Sequence, residues 1–309
     1  VDNDRMPEEN KYLLLVTGPT AIGKTAFSIK LAQHFKTEII SADSRQFYRE
    51  MRIGTAYPEP EELEAARHHF VGMLSIVDDY NVSRYEKDAL RLLENLFNDH
   101  KLVILTGGSG LYIDAVCKGI DDLPDFEPEL REKLKREIKE QGLEAFGKRL
   151  KKLDPEYYEV VDLHNPNRLL RAMEVCLQTG KTYTSLRKNI SRPRPFNILK
   201  IGLNTERDIL FERIAKRVDV MMEKGLLDEV KSLQAFRAYN ALNTVGYKEL
   251  FSFLDADLSL EEAVDKIKTN TRRYAKRQLT WFKRDDAISW FSPEQLEEVI
   301  AYVEEKIGQ

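Results

Sequence analysis

The sequence predicts an α/β fold in which a parallel sheet core is interrupted by a helical insertion and completed by a helical C-terminal region. Three observations carry this. The apolar run "YLLLV" leads into "GPTAIGKT", Gly18 to Thr25, and then into the helix-like "AFSIKLAQHF", a strand, turn and helix in that order. Strand-like runs alternate with helical stretches as far as Gly119, as they do when helices cover both faces of a parallel sheet. From Ile120 to about Pro195 the pattern then turns wholly helical, between the proline-bearing borders "DDLPDFEP" and "SRPRPF".

Taken in order, the strands are expected at "YLLLVTG", "EIISAD", "HHFVGM", "LVILTGG" and, after the insertion, "FNILKIGLN". Between the early ones, "NVSRYEKDALRLLENLF" reads as a helix with Asn81 or Ser83 as its N-cap. The insertion contributes "EPELREKLKREIKEQ", "LEAFGKRLKKL" and "NPNRLLRAMEVCLQTG". In the tail, "RDILFERIAKRVDVMMEKG" and "LLDEVKSLQAF" are split by Gly225, a helix stop and restart. The expected division is therefore 1–119 with 196–309 for the core and 120–195 for the insertion, with no internal repeat or low-complexity tract.

The spacing G-x-x-x-x-G-K-T is that of a phosphate-binding P-loop, which makes the core P-loop NTPase-like. Backbone N–H groups wrap a phosphate at the helix N-terminus, Lys24 supplies the cation and the Thr25 hydroxyl a ligand for Mg²⁺. "SADSRQFY" puts Asp43 at the end of the second strand, on the sheet edge where open parallel sheets bind ligands. That carboxylate could be a magnesium ligand, a general base or a ribose contact; with Gln46 three residues on, it could equally cap a helix. "TGGSGLY", ending the fourth strand, allows close backbone approach at the same edge.

Composition excludes several classes. With 42% apolar and 32% charged residues in 309, the chain is a globular protein with room for a large core. It holds no apolar run of roughly 20 residues, the span of a bilayer, and the acidic start "VDNDRMPEEN" is unlike a signal peptide. No membrane association and a cytoplasmic location are expected. Cys117 and Cys176 have no metal-ligand spacing and suit a reduced core. Net charge is −4, yet Asp265 to Arg284 holds eight basic residues and one acid, and Lys181 to Arg194 holds five basic residues and none acidic. Such clusters are footprints for a polyanion or solvated helix faces.

Read together, GPTAIGKT, DSRQFY, MRIGTAYP, GGSGLY, NPNRLLRAMEV, GLLDEV, TVGYKEL and TRRYAKRQLTWF closely resemble the tRNA dimethylallyltransferases, also called tRNA isopentenyltransferases, from about Leu13 to about Lys283. Departures are small: Ser109 stands where many members have threonine, and Arg45 fills a variable position. With no Cys/His cluster after "FSPEQLEEV", the chain is similar to the bacterial form.

The resemblance implies transfer of a dimethylallyl group from dimethylallyl diphosphate to the N6 amine of the adenosine 3′-adjacent to the anticodon, in tRNAs reading U-starting codons. It implies diphosphate contacts from Gly18, Pro19, Thr20, Ala21, Ile22, Gly23, Lys24, Thr25 and Arg217, with Mg²⁺ at Thr25 and Asp43 as general base. Asp43, Ser44, Arg45 and Gln46 would line the pocket of a flipped adenine, with Ser109 and Arg131 close to the tRNA. Asn167, Arg168, Leu169, Leu170 and Arg171 would meet the anticodon stem-loop. Lys276, Arg277, Gln278 and Trp281 join them from "KRQLTWFK", cations toward RNA and aromatic rings inward. A monomer is expected. Adjacent His68 and His69 point to opposite faces, against joint metal ligation, and the family pattern hints that one contacts substrate.

Three other functions fit parts of the sequence. A P-loop small-molecule kinase explains the loop and sheet alone, an adenylate isopentenyltransferase is similar around the loop but has the insertion against it, and an RNA-binding module leaves the intact Lys24 and Thr25 unused.

Overall fold

The computed structural model describes residues 11–188 and 191–308; the acidic stretch weighed above against a signal peptide lies outside the described residues. Lys118–Arg192 forms one compact unit and the remaining chain another.

The larger unit is built on one sheet of β1 (Tyr12–Thr17), β2 (Ile39–Ser41), β3 (His68–His69), β4 (Leu102–Thr106), β5 (Asn197–Leu203) and β6 (Ser289–Phe291). Their order is β3-β2-β4-β1-β5-β6 and every pairing is parallel. β1 and β4 are buried at every position, which is why they read as unbroken apolar runs. The pleat divides their side chains. Leu14, Val16 and Ile104 enter one core layer, Leu13, Leu15, Val103 and Leu105 the other.

The helices of the first half are α1 (Lys24–Phe35), α2 (Pro60–Ala65), α3 (Val82–Leu96) and α4 (Gly110–Lys118). Asn81 caps α3, its side chain accepting from the Arg84 amide at 3.0 Å. The third strand is shorter than expected because Phe70 turns to φ +61°, leaving the extended region.

The smaller unit contains α5 (Pro128–Gln141), α6 (Leu143–Leu153), α7 (Pro155–Val160), α8 (Pro166–Thr179) and α9 (Tyr183–Leu186), with no strand among the described residues. They surround Leu134, Phe146, Leu150, Leu169, Met173 and Cys176. The Asp154 carboxylate, 1% exposed, caps α7 through the Tyr157 amide and ties in α9 through the Thr184 amide and hydroxyl. Such a buried carboxylate is tolerable because its oxygens are satisfied.

The chain then adds α10 (Arg207–Glu223), α11 (Leu226–Ser232), α12 (Tyr247–Leu254), α13 (Leu260–Phe282) and α14 (Leu296–Gly308). Gly225, at φ +94°, separates α10 from α11 as the sequence predicts. The tail is not wholly helical, however, since β6 returns beside β5. Three residues are too few to show a period, so "SWF" gives no strand signal of its own.

The C-terminal ends of β1, β2 and β4 release the three loops around which the site is built. They lie so close that a Cβ on Gly107 would stand 2.5 Å from the Ala42 carbonyl carbon and oxygen. Gly107→Ala should therefore force β2 and β4 apart and cost about 1–3 kcal/mol, read as a lower urea midpoint. Gly308→Ala, which meets nothing within 4 Å, should leave the midpoint within about 0.5 kcal/mol of the original.

Candidate active site

The loop after β1 curls through three positive φ angles, Gly18 at +145°, Ala21 at +64° and Gly23 at +101°. Lys24 opens α1, and its ammonium donates to the carbonyls of Gly18 (3.1 Å) and Pro19 (2.8 Å). Burial brings the Lys24 ammonium down to about 8; the Asp43 carboxylate opposes that fall and the Arg217 guanidinium adds to it. Arg217, on α10, is lowered by its own burial and held up by Asp43. Two cations thus share one carboxylate. A cavity of about 530 Å³ takes Thr20, Asp43 and Arg217 into its wall together with Tyr274 and Arg277 of α13.

Asp43 caps no helix. Its carboxylate accepts from the Arg45 amide at 3.0 Å, closing a tight turn that leads into turns and an isolated bridge. Ser109, from the loop after β4, clamps this turn: its oxygen accepts from the Ser44 amide and donates to the Ser44 hydroxyl, both at 3.1 Å. Ser44 and Arg45 line the cavity with Asp43. Gln46 does not, because its amide donates to the carbonyls of Thr55 and Ala56 and so holds the next loop. Arg45 likewise has its guanidinium on the carbonyls of Asn240 and Ala241.

On α13, Lys276 and Arg277 are exposed. Gln278 is 5% exposed and faces the P-loop, so it is no RNA contact. Trp281 is half-buried against one core layer, with its indole N–H donating to Asp114 at 3.0 Å. In the smaller unit, Leu169 (0% exposed) and Leu170 (7%) are core residues and cannot touch RNA. Asn167 and Arg168 are exposed. The Arg131 guanidinium makes two bonds to the fully buried Glu174, at 2.5 and 2.7 Å, and stacks on Phe126; Arg171 donates to the Pro124 carbonyl. Both arginines are held inside their own unit.

Neither His68 nor His69 lines the cavity. His69 bonds Glu38 at 2.5 Å, ahead of β2, and His68 bonds the Ala66 carbonyl at 2.8 Å.

Sequence reasoning missed Tyr274, Glu229 and Glu249. Tyr274 lines the cavity with its phenol pushed up by burial and by Asp43, and hydrogen-bonded to Ser109. Glu229 accepts from the amides of Arg52, Ile53 and Gly54 and from the Tyr247 hydroxyl. Glu249 accepts from the Gly246 amide (2.8 Å) and the Asn270 side chain (2.7 Å). Their signal was present, since Glu229 and Glu249 lie in GLLDEV and TVGYKEL.

Among the described residues no three of His, Cys, Asp and Glu are grouped to hold a metal. A divalent ion at the loop would therefore take the Thr25 hydroxyl and otherwise oxygens of a bound diphosphate and water, a set that fits Mg²⁺. No described helix is long and apolar enough to cross a membrane.

A family model described as IPP transferase matches residues 46–285. The chain is 51% identical to tRNA dimethylallyltransferase 1 of Bacteroides fragilis over 297 residues, 96% of this chain and 99% of the relative. It is 51% identical to a tRNA dimethylallyltransferase of Christiangramia forsetii, over 97% of this chain and 99% of that one. Among solved structures it is similar to the full-length tRNA isopentenylpyrophosphate transferase of Bacillus halodurans, with a TM-score of 0.71, 35% identity and 97% of each chain covered. A eukaryotic dimethylallyltransferase acting on tRNA gives a TM-score of 0.75 and 26% identity over 92% of this chain and 74% of that one. The family match begins at Gln46, downstream of both the P-loop and Asp43.

Because only the charged ammonium binds an anion, affinity for an alkyl diphosphate should fall as pH rises through about 8. The expected slope is about tenfold per pH unit until the pKa of the complex is reached. Calorimetric titration between pH 7 and 10 checks this, and Lys24→Met should flatten the profile.

Proposed function

The chain belongs to the IPP transferase family, and we propose that it transfers the dimethylallyl group of dimethylallyl diphosphate to the exocyclic N6 amine of the adenosine 3′-adjacent to the anticodon, in tRNAs that read U-starting codons. The observation that carries this reading is the convergence of Lys24, Arg217 and Asp43: the two cations each feel the carboxylate, and Asp43 and Arg217 share one cavity wall.

The chemistry follows from their charges. The bond between the allylic C1 and the diphosphate oxygen breaks, and the diphosphate leaves with the electron pair. Lys24 and Arg217 meet the negative charge that grows on it, so they hold the transition state more tightly than the ground state. The N6 lone pair, delocalised into the adenine ring, attacks C1. The N–H proton, acidic only as the new bond forms, passes to the Asp43 carboxylate. Mg²⁺, held through Thr25, would supply further positive charge to the diphosphate.

A stacked base cannot reach this cavity, so the adenosine must be flipped out of the anticodon loop. Exposed Lys276 and Arg277 on α13, and exposed Asn167 and Arg168 in the smaller unit, are the proposed RNA contacts. The helical unit supports tRNA over free adenylate as acceptor, as do relatives named for tRNA that align across 96–97% of the chain.

Purified protein mixed with unmodified tRNA and labelled dimethylallyl diphosphate should place label on adenosine in RNA; label in free nucleotide instead would move the acceptor to adenylate. Asp43→Ala should lower turnover by about 10²–10⁴-fold with the native fold retained, and near-normal turnover would remove Asp43 as the base. Replacing Lys276 and Arg277 together by alanine should weaken tRNA binding and reduce the slope of log K against log salt by about 0.7–0.9 for each phosphate no longer neutralised.

A further inference from the structure

We infer that Gln278 is a positioning residue for the diphosphate loop, and that its side-chain amide sets where Thr20, and with it Lys24, stand at the donor site. The inference rests on the proposed use of that loop for a diphosphate.

Gln278 belongs to the basic stretch of α13, yet its side chain points into the protein and is used at both ends. Its Oε1 accepts from the Thr20 amide at 2.8 Å, and its Nε2 donates to the Gly108 carbonyl at 2.9 Å. The amide thus joins the loop after β1 to the loop after β4, across 258 and 170 residues of chain. Gly108 makes room for it. A Cβ there would stand 2.2 Å from Gln278 Nε2 and 3.9 Å from Lys24 Nζ, which places the bridge beside the ammonium.

The chemistry demands a neutral group that both donates and accepts. Glutamate could accept from Thr20 but would oppose a carboxylate to the Gly108 carbonyl and to the incoming diphosphate; leucine would leave a buried donor and a buried acceptor without partners. Thr20 N–H, expected from the motif to bind diphosphate, is instead the point by which the loop is gripped.

The test uses the full chain with Gln278→Leu, Gln278→Glu and Gln278→Ala. In prenyl-transfer assays each should raise KM for dimethylallyl diphosphate by about ten- to a hundredfold, while KM for tRNA stays within about twofold. An RNA-contact role predicts the reverse split, and a general loss of folding would lower apparent kcat and leave both KM values unchanged. Gly108→Ala should raise the same KM by displacing the amide, and adding Gln278→Ala, which clears the space, should cost no more than Gln278→Ala alone. Donor KM unchanged in all three Gln278 variants, or additive effects in the Gly108 and Gln278 pair, would overturn the assignment. Calorimetric titration with inorganic pyrophosphate separates this from the proposed function. Wild-type affinity in the Gln278 variants removes the positioning role even if tRNA is prenylated; weakened affinity keeps it even if another acceptor is found.

Discussion

The structure turns on an imbalance of charge: two cations and one carboxylate brought together where water is scarce. Burial lowers both Lys24, which comes to about 8, and Arg217, and the carboxylate of Asp43 only partly offsets either fall. A site in this state is short of negative charge, and the proposed diphosphate would make up the deficit. The same imbalance favours bond breaking, since a leaving diphosphate carries more charge on its bridging oxygen than a bound allyl diphosphate does. Catalysis and affinity for the donor then have one electrostatic origin.

The fold meets that demand twice, in opposite ways. Around Arg52, Ile53 and Gly54 successive amides point at a common anion, and the chain supplies it from Glu229. Around Gly18 to Gly23 a comparable curl ends at the Lys24 ammonium, and among the described residues no carboxylate bonds to its amides. The first nest is a structural joint. The second, the proposed diphosphate loop, takes its rigidity from elsewhere: from Gln278 at Thr20 and from the strands on either side of β1.

What could be read from the sequence follows from which interactions are local. The P-loop is legible because strand, turn and helix are contiguous and its glycines have a backbone reason to be there. The parallel core is legible because strands buried on both faces must be apolar throughout. The division of α13 into an outer and an inner face was half legible. Gln278 lies four residues from Tyr274 and three from Trp281, the spacing of one helical stripe, but the density of positive charge around it suggested RNA. Leu169 and Leu170 were expected at RNA as members of a contiguous motif, whereas Leu169, Leu170, Met173 and Cys176 together have the spacing of a buried stripe. β6 had no local signal at all, because three residues become a strand only beside β5.

Helix α13 explains how distant pieces of chain reach a common geometry. A helix of 23 residues is about 35 Å long and nearly rigid, and its inner stripe meets the site at four successive points. Asn270 bonds Glu249, which also holds the Gly246 amide of the cavity wall. Tyr274 meets Ser109, the clamp on the Asp43 turn. Gln278 bridges Thr20 and Gly108, and Trp281 holds Asp114 of α4. Steps of four, four and three residues keep these side chains on one line, so the Asp43 turn, the loop after β1 and the loop after β4 are indexed against a single rod. Displacement at C1 requires the amine, the carbon and the leaving oxygen to be aligned, and an error of about 1 Å can cost a hundredfold. Three separate loops could not hold that tolerance alone; one helix can, bonded through Gln278 to the loops after β1 and β4, the second of which clamps the Asp43 turn through Ser109.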